Sequence, residues 1–453
     1  MGDCSPMRLF AVLPVLTGVF LASTALAAPP ALDADAINGA TLVDWQARKK
    51  AAAETQAQEA AQPAGSSAEA TASAPDAVEP EADSPPPPVP PEPVPAEAAP
   101  EAFPANPSVG TAPGETPAQL TEVPQVPDES TDLPDEAALQ NPSAEPAGDT
   151  GASGEGQPAG AGDVQAEKPA DQPDPFLIRL QVLLDRQNAS PGSIDGLMGN
   201  NTQKAIRAFQ AMHDLPADGK VGEETWDVLS VDAEPAVTTY TITQKDVDGR
   251  YVEHLPSDYA ELAKLDWLGY RGPSEMLAER FHMDEQLLER LNAGADFKKA
   301  GTQILVAAPG GAPAVKIKRI EVDKSAGELS GYTADGHLAL VYPATIGSPE
   351  NPSPSGTVTV EAIAPDPDYA YDPGKNFKQG KNDKPLRLPP GPNGPVGAMW
   401  IDLSKPTYGI HGTPEPDLID KSGSHGCVRL TNWDAQILAG LVEPKKTVVE
   451  FKE

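Results

Sequence analysis

Apolar and polar positions change period twice along this chain. From Leu177 to Leu184, the apolar residues Leu177, Leu180, Val182, Leu183 and Leu184 form a helical stripe. Ala205, Ile206 and Phe209 repeat that spacing, and Trp226 with Leu229 starts a third such segment. Between Ser274 and Asn292 two more helical stretches are expected, closed by the Gly-led strand Gly301-Thr302-Gln303-Ile304-Leu305-Val306. From Val315 the period shortens to two. Lys316-Ile317-Lys318-Arg319-Ile320-Glu321-Val322 alternates, and His337–Tyr342 and Thr357–Ile363 are further β-rich runs. A Pro/Gly-rich loop is expected over 364–397, and one helix over Asn432–Leu441.

The residues before Pro175 follow neither period. The stretch from Ala51 to Asp174 holds 24 prolines, 24 acids and one lysine, Lys168. It cannot bury enough apolar surface to offset the entropy of ordering, so disorder is expected. The span 28–174 reads as a Pro/Ala/Glu-rich tether, of which about 125 residues taken as a flexible coil have an r.m.s. reach of about 60 Å. Within it, Ala34 to about Gln62 is compatible with a short helix. The net charge of −34 comes mostly from this region, whereas Lys316–Glu453 carries 15 basic against 18 acidic residues. No part has the basic excess that phosphate binding needs, so nucleic acid is not an expected partner.

Arg8, the apolar run Leu9–Leu26 and the small-x-small end Ala25-Leu26-Ala27 read as an export signal over 1–27. The run is nearly long enough to span a bilayer, so an uncleaved anchor is the alternative, and only then is a membrane a partner. Cys4 would be lost with the signal. Cys427 would remain as a lone thiol in an oxidising compartment, which marks it as a candidate for chemistry.

The neighbours of Cys427 strengthen that reading. Tyr408-Gly409-Ile410-His411-Gly412-Thr413-Pro414 is followed by Ser424-His425-Gly426-Cys427-Val428-Arg429-Leu430. A thiol nucleophile needs a base, and an imidazole suits that task. It also needs backbone N–H groups aimed at the oxyanion, which Gly426 beside Cys427 permits. Arg429 can offer a fork to a substrate carboxylate or can pair with an acid such as Asp402. Zn ligation by His411, His425 and Cys427, or an inert buried thiol, are the other readings. His213, His254, His282 and His337 have no partners in sequence. The loop lysines Lys375, Lys378, Lys381 and Lys384, with Arg387, could attract acidic stems or only be solvated.

These two blocks resemble the signature of the YkuD family, the L,D-transpeptidases of the bacterial cell wall, over about 315–453. Leu388–Gly397 and Trp400-Ile401 are similar to the approach to the family's site. The resemblance implies Cys427 as nucleophile, His411 as base and the Gly412 carbonyl as its orienting partner. It implies Ser424 as a supporting hydrogen-bonding residue and an oxyanion hole at Gly426 and Cys427. Arg429, His425, Tyr408 and Trp400 would contact substrate, and no metal or organic cofactor is required. Two copies of D-G-x-x-G-x-x-T, at Asp195–Thr202 and Asp218–Thr225, resemble the peptidoglycan-binding domain of type 1 over 175–232. Those Asp, Gly and Thr positions are expected to be structural. The segment 238–310 resembles a divergent LysM module, or is a spacer.

The expected architecture is multidomain. A small three-helix peptidoglycan-binding domain precedes a mostly β YkuD-like catalytic domain, after a long disordered N-terminal region. The implied partners are peptidoglycan stems and glycan, with an envelope protein as a possible acceptor, in the periplasm or cell envelope. A carboxypeptidase and a non-catalytic wall-binding protein are the alternatives.

Overall fold

The computed structural model describes residues 31–61, 172–348, 352–375, 377–421 and 426–453. The expected signal at 1–27 and most of the expected tether lie outside these residues.

The first described segment corrects one expectation. Residues 31–61 belong to the span 28–174 expected as a disordered tether, within which only a short helix over Ala34 to about Gln62 is allowed; they form two helices, α1 (Ala34–Asn38) and α2 (Leu42–Ala61). Asp33 caps α1 through the Ala36 N–H. Three anchors explain the order. Ile37 and Leu42 are buried in two different clusters, and Trp45 stacks on Phe176 at 4.9 Å. Arg48 adds an ion pair to Asp174 at 3.0 Å.

The peptidoglycan-binding domain comprises α3 (Pro175–Arg186), α4 (Asn200–Met212) and α5 (Glu223–Leu229). Its two turn motifs are built by the same clasp. The Gln181 amide donates to Asp195, the Leu197 carbonyl and Thr202, and its oxygen accepts from the Gly196 N–H. The Gln210 amide does the same with Asp218, the Lys220 carbonyl, Thr225 and the Gly219 N–H. The repeated Asp, first Gly and Thr of each copy are thus spent on a glutamine clasp, as structural residues should be, while Asp218 and the second glycines Gly199 and Gly222 are exposed.

The middle module pairs β1 (Val237–Thr241) with β2 (Gln303–Ala307) in an antiparallel ladder. Between them lie short helices α6 (Gln244–Val247) and α7 (Tyr259–Leu262), then α8 (Pro273–Arg280) and α9 (Glu285–Leu291). Asn292 closes the module, bonding the Leu305 N–H and carbonyl through its side chain.

The C-terminal domain is a nine-stranded sheet in the order β5-β4-β3-β13-β7-β10-β11-β12-β6. Its strands are β3 (Arg319–Asp323), β4 (Glu328–Tyr332), β5 (Leu338–Pro343), β6 (Thr345–Ile346), β7 (Gly356–Pro365), β10 (Met399–Leu403), β11 (Gly409–His411), β12 (Val428–Arg429) and β13 (Val448–Lys452). Helix α10 (Asn432–Leu441) starts at the Thr431 cap and contributes Ala435, Leu438 and Leu441 to the core under Ile401, Ile410 and Val428. The edge strand β5 is not left open. Val341 exchanges backbone hydrogen bonds with Asn188 and Ser190 of the peptidoglycan-binding domain, at 2.9 and 3.0 Å.

The long Pro/Gly-rich loop is more ordered than its composition suggests. It carries a hairpin, β8 (Tyr369–Tyr371) with β9 (Leu386–Leu388). Tyr371 and Leu388 pack with Leu262 and Leu268 of the middle module in a small core of their own. The loop cations are partly engaged at its surface, Lys375 with Asp372 and Arg387 with Asp368.

Candidate active site

Strand pleating assembles the site. Side chains alternate across a strand, and directly paired residues share a face. Trp400 is paired with His411 across β10–β11, and His411 with Arg429 across the parallel β11–β12 pair. The same face receives Asp402, two residues after Trp400, and Cys427, two residues before Arg429. The opposite face presents Ile401, Ile410 and Val428, all fully buried in the core. The apolar positions between the functional ones therefore hold the site against the sheet.

His411 is 4% exposed. Its Nδ1 lies 2.7 Å from the Gly412 carbonyl. A carbonyl only accepts, so Nδ1 carries the proton and Nε2 is left with its lone pair. Burial pushes the imidazole pKa down to about 3, with Arg429 acting in the same direction against the carbonyls of Gly412 and Val396. Trp400 stacks on the ring at 5.5 Å and donates its indole N–H to Asp402 at 3.2 Å.

Cys427 lies one residue before β12, with Sγ 3.7 Å from the Thr407 carbonyl. Burial pushes the thiol pKa up, while the backbone at Gly409 and the Arg429 charge oppose it. The resting pair is therefore a neutral thiol and a neutral imidazole, so proton transfer has to accompany attack. Gly426 has φ +103, a left-handed angle that favours glycine. Its carbonyl accepts from the buried Ser353 hydroxyl at 2.7 Å. In a trans peptide the next N–H points the opposite way, so the Cys427 N–H is directed away from Ser353.

Among the described residues, Arg429 makes no ion pair with Asp402, and its buried Nε has no hydrogen-bond partner. Two phenols lie within electrostatic reach of the guanidinium: Tyr259 of the middle module and Tyr369 of the hairpin. Burial pushes Tyr259 up to about 12 and also raises Tyr369, with Arg429 opposing both and Cys427 adding to the rise of Tyr369. The two rings meet edge to face at 6.1 Å.

The structure thus brings Cys427, His411, Gly412, Arg429 and Trp400 to one place. Ser424 and His425 lie outside the described residues. Tyr408 is in the β10–β11 turn, on the side of Ile410, where it is partly buried against the core and covered by Lys405 at 4.8 Å. Sequence reasoning missed Tyr259 and Tyr369. The alternating Tyr369-Ala370-Tyr371 was the one available signal. It also missed His282, whose Nδ1 lies 3.0 Å from Asp185 and whose ring stacks on Trp433 at 5.2 Å.

Two family profiles match this chain: the L,D-transpeptidase catalytic domain of the YkuD family over 317–450, and a peptidoglycan-binding domain over 174–229. A Bacillus licheniformis relative, named as an L,D-transpeptidase of the YkuD type, is 31% identical over 171 residues, covering 37% of this chain and 87% of its own length. ErfK/SrfK of Escherichia coli, also named among the L,D-transpeptidases, is 29% identical over 171 residues, 37% of this chain and 55% of that protein. Among solved structures, L,D-transpeptidase 3 of Mycobacterium tuberculosis matches 35% of this chain and 65% of its own, at 18% identity and a TM-score of 0.26. The matched catalytic segment contains the whole His411–Cys427–Arg429 constellation, and this chain belongs to the YkuD family of L,D-transpeptidases.

Proposed function

We propose that this chain is an exported cysteine L,D-transpeptidase acting on the tetrapeptide stems of peptidoglycan. The observation that carries the reading is the His411 tautomer. Its Nδ1–H is spent on Gly412, which leaves Nε2 as a base on the sheet face that also bears Cys427 and Arg429.

In the first half-reaction, Nε2 takes the Cys427 proton as sulfur attacks the carbonyl of the L-centre of diaminopimelate. The N–H groups of Cys427 and Gly426 hold the oxyanion. Collapse breaks the bond to the terminal D-Ala, whose amine leaves with the proton from His411, and a thioester remains. In the second, an acceptor amine attacks the thioester, passes a proton to His411, and the thiol is restored. A diaminopimelate amine gives a 3→3 crosslink, an envelope-protein amine gives wall attachment, and water gives tripeptide. Arg429, with an unpaired buried Nε, is suited to a stem carboxylate.

The peptidoglycan-binding domain would hold the enzyme on its polymer and raise local substrate concentration. The pairing of β1 with β2 around the helices α8 and α9, with α6 and α7 inserted before them, supports a LysM-like glycan-binding role for the middle module. The signal-like first 27 residues support export to the periplasm or envelope. No helix among the described residues is long and apolar enough to cross a membrane.

The test is incubation of the full chain with disaccharide-tetrapeptides, read by mass spectrometry beside Cys427→Ala. A dimer lacking one D-Ala, absent with the variant, is the expected product. Tripeptide alone would indicate a carboxypeptidase. Wall binding without any product would leave a binding protein.

A further inference from the structure

The Gly412 carbonyl that orients His411 is itself backed by a side chain. The Asn432 amide oxygen lies so close that a Cβ on Gly412 would come within 2.2 Å of it. A Cβ on Gly397 would meet the same oxygen at 2.2 Å and the Gly412 carbonyl carbon at 2.5 Å. Asn432 therefore fills the space behind the Gly412 peptide, and the two glycines exist to admit it. Its Oδ1 accepts from the Ala398 N–H at 3.0 Å, which fixes which way the amide faces.

What holds Asn432 comes from another module. Its Nδ2 donates to both Glu279 oxygens, at 3.2 and 3.0 Å, and to the Pro392 carbonyl at 3.2 Å. Glu279 sits on α8 of the middle module and is 7% exposed. Tyr270 donates to it at 3.2 Å, and no cation pairs with it among the described residues. A carboxyl in this setting is costly to bury, and burial pushes it up to about 8, with Glu275 and Asp417 adding to the shift. An apolar side chain would seal the same module interface without that cost. The carboxyl is explained by what it grips.

We propose that Glu279 is a positioning residue of the catalytic centre, acting through Asn432 and Gly412 on His411. The C-terminal domain then does not hold its own base; the middle module completes it. This inference rests on the reading of Cys427 and His411 as nucleophile and base.

The test is the pH dependence of Cys427 alkylation by iodoacetamide in the full chain, which reads base-assisted thiolate formation without any wall substrate. Tetrapeptide turnover is measured alongside. Glu279→Leu should slow alkylation at pH 7 about tenfold and lower kcat similarly with little change in KM, as expected for a misplaced base. Glu279→Gln, which keeps an acceptor for Asn432, should stay within about threefold of wild type. Asn432→Ala should reproduce Glu279→Leu, and the double variant should lose no more than either alone. Asn382→Ala loosens another contact between the middle module and the C-terminal domain, since Asn382 bonds Asp258, without touching Gly412 or Asn432, and should stay near wild type. Wild-type alkylation and turnover in Glu279→Leu would overturn the inference. So would an equal loss in Asn382→Ala, or additive effects of Glu279→Leu and Asn432→Ala. Turnover failing in wild type, with the alkylation pattern intact, would sink the transpeptidase reading and leave the positioning role standing.

Discussion

His411 and Arg429 are neighbours across the parallel β11–β12 pair, and the guanidinium helps keep the imidazole unprotonated. A base works only when neutral, and His411 gains its proton far below the ordinary histidine range. Transpeptidation should therefore persist as pH falls from 8 to 5. Arg429→Gln removes one cause of the depression, so the acid limb should move upward, and KM for the tetrapeptide should rise. Profiles of kcat and kcat/KM against pH measure both. An unmoved limb would mean that burial alone sets the ionisation of His411.

Gly412→Ala is expected to cost activity more than stability. The added methyl has no room beside the Asn432 amide, so the Gly412 carbonyl must shift and take the imidazole with it. A loss of about tenfold to a hundredfold in kcat is expected for a base displaced by a fraction of an ångström. The comparison is kcat against the thermal midpoint. Full activity with a normal midpoint would contradict the packing.

The junction of the three modules should weaken as pH rises. Asp434 is buried, accepts from Ser190 at 2.9 Å, and is pushed up to about 7 by burial and Asp185. Glu279 is pushed up to about 8, and His282 is also raised. Each of these groups binds its proton more tightly in the folded chain. Their stabilising effect is present below the unfolded pKa values and is lost as pH climbs through the folded ones. His411 works oppositely, but only below pH 6.5. The clean window is thus pH 6.5 to 8.5, across which the unfolding temperature should fall. Asp434→Asn should flatten the fall; a midpoint constant across that window in wild type would refute the mechanism.

Each glutamine clasp should matter to the peptidoglycan-binding domain. Gln210→Ala leaves the Gly219 N–H without its partner and strips Asp218, the Lys220 carbonyl and Thr225 of a donor. A destabilisation of about 1–3 kcal/mol is expected for such an orphaned set. Gln181→Ala should cost a similar amount. Denaturant unfolding measures both, and a cost near zero would show that solvent replaces the clasp.

What the sequence disclosed followed how local the cause was. The alternation around Ile320 and Val322, the stripe through Leu180–Leu184 and the helix at Asn432–Leu441 depend on near neighbours, and all three elements are present at nearly those positions. The strand begins at Arg319 rather than Lys316, because the Ile317 N–H turns aside to the Leu441 carbonyl. The His411 and Cys427 blocks were legible because their spacing is a family signature. Glu279 was not: it reads as one more acid on a helix until folding sets it against Asn432, 153 residues away. The Tyr369–Leu388 hairpin was hidden for the same reason, since a partner module supplies its core. In residues 31–61 the helix was legible in the composition of Ala34 to about Gln62, but its anchoring was not, because Ile37, Leu42 and Trp45 are held by partners distant in sequence.

That last segment changes the mechanics of the chain. Trp45 on Phe176 and Arg48 on Asp174 pin the residues before the acidic, proline-rich stretch to the residues just after it. The span between Ala61 and Gln172 therefore begins and ends on the same folded body, held there by the Ile37, Leu42 and Trp45 contacts. Its length therefore does not set how far the catalytic sheet stands from residue 31; insertions there would enlarge a side loop and leave that distance unchanged. The reach of the catalytic sheet is then set by whatever lies before Ala31.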